Sequence, residues 1–385
     1  MSKQMDFIPV CEPTFSGNER KYLLDAFDSG WISSTGEYVK KLENYFSSYC
    51  GLDFGITVSN GTVALHTALV ALDIRKGDEV IIPNFNGIYG AFAICYQGAI
   101  PVFVDAEPET WNIDPEKIEE KITNRTKAII AVHIYGHPCD MDPIISIAKK
   151  HNLKVVEDAA EAHGGDYRGK KCGSLADISI FSFFANKLAT SGEGGIILTN
   201  NSQLADKCRY YKNLCFPLNG SRNFIHEDIG YNYRMSNIAA AIGLAQLEKL
   251  DENVELRRNN NKLYQEFLKD IPGITFQPEK EWAKNVYWMN AIIINKDEFG
   301  IDRNSLMQKL NKFGIQTRYF FVGMNRQPSL KKYGCNHDGK FPISDWLSDN
   351  GLYLPSTSNL GQRKIKYICD SIASIHKLIN KSKLI

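Results

Sequence analysis

Ile178-Ser179-Ile180-Phe181-Ser182-Phe183-Phe184-Ala185-Asn186-Lys187-Leu188-Ala189-Thr190-Ser191-Gly192-Glu193-Gly194-Gly195-Ile196-Ile197-Leu198-Thr199 is an apolar run, a loop, and a second apolar run. Both runs are short and rich in β-branched residues, the signature of buried strands. The loop between them carries Lys187 and then three glycines within four positions, Gly192, Gly194 and Gly195, which let a backbone turn tightly and approach a ligand. A lysine partly desolvated beside such a turn has a lowered ammonium pKa and can form an imine with an aldehyde. A surface-loop lysine next to turn glycines gives the same local pattern.

Outward from this stretch the same grammar repeats. Glu79-Val80-Ile81-Ile82, Ile100-Pro101-Val102-Phe103-Val104, Ala128-Ile129-Ile130-Ala131-Val132 and Lys154-Val155-Val156 read as further buried strands. Residues 62–72 and 142–151 have the apolar spacing of covering helices. Alternating strands and helices predict α/β architecture with a mostly parallel sheet. A long helical pattern over 236–271, opened by Ser236 as an N-cap, predicts a bridge to a smaller α+β unit with a strand at 288–295 and helices at 303–313 and 363–378. The expected division is a large domain over 1–245, with an N-terminal arm, and a small C-terminal domain over 246–385.

Composition narrows the function classes. The 385 residues carry 45 Lys+Arg against 44 Asp+Glu, a net charge of +1, so no global field favours nucleic acid or an anionic membrane. No run of about 18 apolar residues is present, and the N-terminus lacks a leader-like apolar stretch. The nine cysteines are scattered and never form a CxxC pair, which predicts reduced thiols and a cytoplasmic location. His133, His137 and His163 have irregular spacing and read as packed or hydrogen-bonded side chains, so no metal is expected. Neither G-x-G-x-x-G after a strand nor G-x-x-x-x-G-K-[ST] occurs, which argues against dinucleotide and nucleoside triphosphate sites.

Three more features point to a ligand. Val155-Val156-Glu157-Asp158 places an acid at the carboxyl edge of a strand, where ligands bind in open α/β sheets; it can pair with a pyridinium nitrogen or simply cap a helix. Val58-Ser59-Asn60-Gly61-Thr62 runs into a helix and offers free N–H groups and a hydroxyl to a phosphate, or serves as a plain capped start. Gly230-Tyr231-Asn232-Tyr233-Arg234-Met235-Ser236-Asn237 gathers amide, phenol and guanidinium groups just before the bridging helix. Arg234 and Arg318 suit a pyrophosphate, though surface or interface salt bridges use arginine equally.

On the Lys187 and Asn232 blocks, Trp31-Ile32-Ser33-Ser34-Thr35-Gly36, Ser59-Asn60-Gly61-Thr62-Val63-Ala64-Leu65-His66, His133-Ile134-Tyr135-Gly136-His137-Pro138-Cys139-Asp140-Met141 and Glu157-Asp158-Ala159-Ala160-Glu161-Ala162-His163-Gly164, the chain resembles the DegT/DnrJ/StrS nucleotide-sugar aminotransferases. The resemblance spans nearly the whole chain and is closest to the GDP-perosamine synthase branch. It implies the aspartate aminotransferase fold (fold type I) and pyridoxal 5'-phosphate (PLP) as cofactor. It further implies that Lys187 forms the internal aldimine, that Asp158 binds the pyridine nitrogen, that Gly61, Thr62 and Ser182 hold the cofactor phosphate, and that Asn60 belongs to the cofactor-binding set. Asn232 would reach the phosphate bound by a neighbouring subunit, making a homodimer the smallest active unit. Glu161 would lie near the cofactor's phenolic oxygen and the sugar, with Trp31, Ser33, Arg234 and Arg318 as further substrate contacts.

The implied reaction moves the amine of L-glutamate to a nucleotide-linked 4-keto-6-deoxy sugar, as in O-antigen and other polysaccharide precursors. A sugar dehydratase on the same fold would carry histidine where Lys187 stands. Two segments depart from the family pattern. Pro83-Asn84-Phe85-Asn86-Gly87-Ile88-Tyr89 has Gly87 where an aromatic residue commonly covers the cofactor ring, leaving Phe85, Tyr89 or the substrate to do so. Thr317-Arg318-Tyr319-Phe320-Phe321-Val322-Gly323-Met324-Asn325 lacks a proline after Arg318 and has Asn325 where histidine is frequent. Both bear on the choice of sugar more than on the reaction.

Overall fold

A computed structural model describes residues 6–219, 224–335 and 338–382. The apolar runs form a seven-stranded sheet from β1 (Phe54–Val58), β2 (Glu79–Pro83), β3 (Ile100–Val104), β4 (Thr126–Val132), β5 (Lys154–Asp158), β6 (Ile178–Ser182) and β7 (Gly195–Thr199), in the order β1-β7-β6-β5-β4-β2-β3. β7 alone runs against its neighbours. Both faces are covered, so alternate residues enter opposite cores. Val80, Ile82, Ile130 and Val156 pack into the larger apolar cluster, whereas Ile81, Ile129, Ala131 and Val155 pack into a separate one. This two-sided burial explains why the strands read as continuous apolar runs rather than as alternation.

The expected helical stretch over 236–271 is two helices, Asn237–Leu247 and Leu250–Leu268. Ser236 caps the first by accepting from the Ala239 N–H at 3.2 Å. That helix is buried almost throughout, while the second alternates buried and charged faces. The chain turns at Glu248-Lys249, and Leu250 and Val254 just beyond it remain in the larger core.

The C-terminal portion builds a four-stranded antiparallel sheet in the order Ile274–Phe276, Asn290–Ile294, Gly351–Leu354, Arg318–Tyr319. Ile292, Ile294, Leu352 and Leu354 face a cluster containing Ile365, Ile368 and Ile372 of the helix Gly361–Ser382. Ala291, Ile293 and Tyr353, on the opposite face, join the larger core of the seven-stranded sheet. The N-terminal arm crosses to this portion: Ile8 N–H donates to the Gly314 carbonyl at 2.8 Å, and Gln316 N–H returns to Ile8 at 2.9 Å. Among the described residues, no helix is long and apolar enough to cross a membrane.

Candidate active site

The carboxyl ends of β5 and β6 and the N-terminus of the helix Gly61–Ala71 meet around a cavity of about 720 Å³. Asn60 caps the helix by accepting from the Val63 N–H at 3.0 Å. This leaves the helix N-terminus against the cavity, where N–H groups and the helix dipole favour an anion. Gly61 is required by close approach: a Cβ there would lie 2.8 Å from Cβ of Ser182. Asn60, Gly61, Thr62 and Ser182 all line the cavity, so the turn before the helix and the end of β6 form one small polar cradle.

Asp158 ends β5 and is buried in the same cavity. Burial raises its carboxyl to about 6, opposed by the Ala160 N–H, which donates to it at 3.1 Å. Lys187, on the loop after β6, reaches back until its Nζ is 3.8 Å from Oε1 of Glu161. The same Nζ lies 3.8 Å from the centroid of the Trp288 ring. Burial lowers the lysine's pKa, with the charges of Glu161 and Asp158 opposing. Burial likewise raises Glu161 to about 7 against the opposing charge of Lys187. Both members of the pair are therefore pushed toward their neutral forms, the condition for a proton to pass at Nζ.

The roles of several residues around Lys187 follow only from the tertiary structure. Trp288, a hundred residues downstream of Lys187, donates its indole N–H to the Asn186 carbonyl at 2.9 Å and so roofs the lysine. Tyr135 sits at φ 56°, uncommon for a bulky side chain, and in that conformation its N–H donates to Oε2 of Glu161 at 2.8 Å. The His133–Gly136 stretch resembled the family without showing that its backbone would orient an acid. Asn186 Oδ1 is buried at the cavity without a hydrogen-bond partner, an acceptor of the kind a bound ligand satisfies.

Arg318 lines the cavity with Tyr89, Phe321 and Tyr233. Four other predicted residues lie elsewhere. Trp31 and Ser33 are exposed and use backbone carbonyls to accept from the Asn237 side chain and N–H at 2.7 Å each. Asn232 pairs as a bridge with Asn213, and Arg234 donates to Asn213 Oδ1 at 2.6 Å beside a separate hollow. None of the four lines the cavity that contains Lys187 of the same chain. In the departing segments, Asn325 does not point freely at a ligand: its N–H and its Oδ1 pair with the side-chain amide of Asn84 at 2.9 and 3.0 Å.

The histidines are dispersed. His133 Nε2 donates to Glu157 at 2.9 Å, and the other carboxylate oxygen accepts from Leu175 N–H at 2.9 Å. His137 Nδ1 contacts the Pro138 carbonyl at 2.7 Å, and His163 packs among Phe46, Phe181 and Phe183. His133, Glu157 and Cys172 lie close together, but the carboxylate is already occupied by hydrogen-bond donors.

A polar turn at a helix N-terminus, a buried acid at a strand end, a desolvated lysine and an unsatisfied amide oxygen line one cavity and fit the donor set that PLP requires. The arrangement defines a PLP-dependent aminotransferase. The chain belongs to the DegT/DnrJ/EryC1/StrS aminotransferase family, which it matches over residues 13–373. It is 44% identical over 369 residues to GDP-perosamine synthase of Escherichia coli O157:H7, covering 96% of this chain and 98% of that one. It is 41% identical to GDP-perosamine synthase of Caulobacter vibrioides, covering 96% and 98% of the two chains. It also superposes with TM-score 0.88 and 29% identity on DesI, whose structure was determined in the presence of its TDP-sugar product, covering 99% and 96% of the chains.

Proposed function

We propose that the chain transfers the amino group of L-glutamate to the keto carbon of a GDP-linked 4-keto-6-deoxy sugar, releasing 2-oxoglutarate and a 4-amino-4,6-dideoxy sugar nucleotide. The observation that carries this reading is the buried Lys187–Glu161 pair beside Asp158 in a cavity bounded by a phosphate cradle. The naming of relatives at 40% identity and above as GDP-perosamine synthases directs the choice of sugar.

When bound, PLP supplies a carbonyl for imine exchange and an electron-withdrawing ring. Lys187 would hold the cofactor through an imine at Nζ, and when freed as an amine the same Nζ would take up and give back a proton. A lysine held toward its neutral form can accept that proton. Trp288 and Glu161 both lie 3.8 Å from Nζ and help to position it. Asp158 would keep the pyridine nitrogen protonated, and Asn60, Gly61, Thr62 and Ser182 would hold the phosphate. Arg318 takes the sugar nucleotide, together with Glu161 on the sugar.

Asn232, Trp31, Ser33 and Arg234, which lie off the chain's own cavity, are assigned to the site of a second copy in a homodimer. Their placement supports this, since Trp31 and Ser33 are tied to Asn237 at the start of the helix Asn237–Leu247, while Asn232 and Arg234 lie just before that helix and meet Asn213. A cytoplasmic location is supported by nine free cysteines. The test is to offer the purified protein, PLP and L-glutamate to GDP-, dTDP- and UDP-linked 4-keto-6-deoxy sugars and weigh the products. Amine gain on the GDP sugar is expected; acceptance only of a UDP-linked N-acetylated sugar overturns the assignment.

A further inference from the structure

The two segments that depart from the family pattern lie against each other. Met324 N–H donates to the Asn84 carbonyl at 2.8 Å, and the reciprocal Asn84–Asn325 pair ties the same strands of chain together. Asn86 Oδ1 accepts from the Gly87 N–H at 2.6 Å and pins that peptide in place. The wall they build contains the position where an aromatic side chain is missing.

Of the two nearby aromatic residues, Phe85 is unavailable. It is fully buried, edge-on to Tyr135 at 5.9 Å and tilted against Phe320 at 5.9 Å, and it does not line the cavity. Tyr89, the first residue of the helix Tyr89–Tyr96, does. Its ring folds back over Gly87, so that a Cβ on Gly87 would lie 2.6 Å from Cε2 and 2.8 Å from Cδ2 of Tyr89. Cε1 of Phe321 would be 3.5 Å from the same point. A side chain at 87 and the observed Tyr89 ring are mutually exclusive occupants of one space. Tyr89 is 54% exposed although it lines a concave site, so much of its surface is left for a ligand. Its hydroxyl is raised above its ordinary pKa by burial and by the charge of Glu161, and lowered by Arg318, which places the ring within electrostatic reach of both.

We infer that Tyr89, through the space opened by Gly87, supplies the aromatic face that packs on the PLP ring. The inference rests on the PLP-dependent reading above. Gly87 is then not a loss of ring contact but the condition for making it from two residues further along. An offset ring contact changes binding by up to about tenfold.

The test is titration of apoprotein with PLP, followed by visible absorbance and by tyrosine fluorescence, in wild type, Tyr89→Ala, Tyr89→Phe, Gly87→Phe and Gly87→Phe/Tyr89→Ala. Thermal melts of the apoproteins verify folding, which the half-exposed position of Tyr89 favours. The expected pattern is PLP affinity lowered about tenfold in Tyr89→Ala, retained in Tyr89→Phe, lowered in Gly87→Phe by collision with Tyr89, and recovered to within about threefold of wild type in the double variant. Wild-type affinity in Tyr89→Ala, or a double variant no better than the singles, overturns the inference and leaves the PLP reading intact. Failure of wild type itself to bind PLP overturns both.

Discussion

Nζ of Lys187 and Oε1 of Glu161 stand 3.8 Å apart with both side chains almost excluded from solvent. At that separation and burial, the cost of charging each group competes with their attraction. The charge state of each is therefore responsive to whatever enters the cavity.

The first consequence concerns pH. Glu161 is raised from 4.5 to about 7 by burial, so the folded apoprotein binds protons that the unfolded chain has released. Its contribution to stability is present below about 4.5 and is lost as pH rises toward about 7. Glu161→Gln is expected to flatten the fall of apoprotein melting temperature across that window; an unchanged slope would show that another group governs it.

Lys187→Ala removes the amine proposed to anchor the cofactor and to carry the proton. Turnover is expected to fall by at least about 10³-fold, while the amine form of the cofactor still binds. Lys187→Arg keeps the charge without imine chemistry and is expected to be equally inactive. Borohydride reduction followed by peptide mapping checks the same point, with the label expected on Lys187.

Gly61→Ala inserts a methyl 2.8 Å from Cβ of Ser182. We expect a stability loss of about 1–3 kcal/mol, read by urea denaturation, together with weaker inorganic phosphate protection of the apoprotein. Equal phosphate protection in both proteins would remove Gly61 from the cradle.

The shared-site assignment is checked by mixing inactive variants. Lys187→Ala and Asn232→Ala subunits, reassociated at random, are expected to regain about a quarter of wild-type activity, because half the dimers are mixed and each mixed dimer has one intact site. No recovery in verified mixed dimers would return Asn232 to its own chain.

Asp105 joins the sheet to the C-terminal portion. Buried at the end of β3, it accepts from the N–H groups of Ala106 and Ser344 at 2.9 Å each and from the Ser344 hydroxyl at 2.6 Å. Asp105→Ala is expected to cost about 2–3 kcal/mol by stranding buried donors at the start of the helix Pro342–Asn350, measured by chemical denaturation.

The strands, the place of Lys187 and the acid at Asp158 were legible because each rests on short-range pattern: runs of β-branched residues, a turn rich in glycine, an acid at a strand end. The break of the helical stretch at Glu248-Lys249 was not legible, since both halves satisfy the same periodicity. Trp288 was invisible for a different reason, as its neighbours in sequence describe only the approach to a strand.

By itself, then, the chain's order of residues determined the α/β sheet, the turn before the helix Gly61–Ala71 and the place of Lys187 on the loop after β6, because those depend on local backbone preference and on burial of contiguous side chains. Tertiary structure alone decided that Trp288 and Tyr135 would position the Lys187–Glu161 pair, that Asn84 would engage Asn325, and that Tyr89 would occupy the room above Gly87. Except for Tyr89, which must fold back over a near neighbour, these contacts join residues far apart in the chain. All of them exist only once packed helices and strands bring specific atoms within a few ångströms.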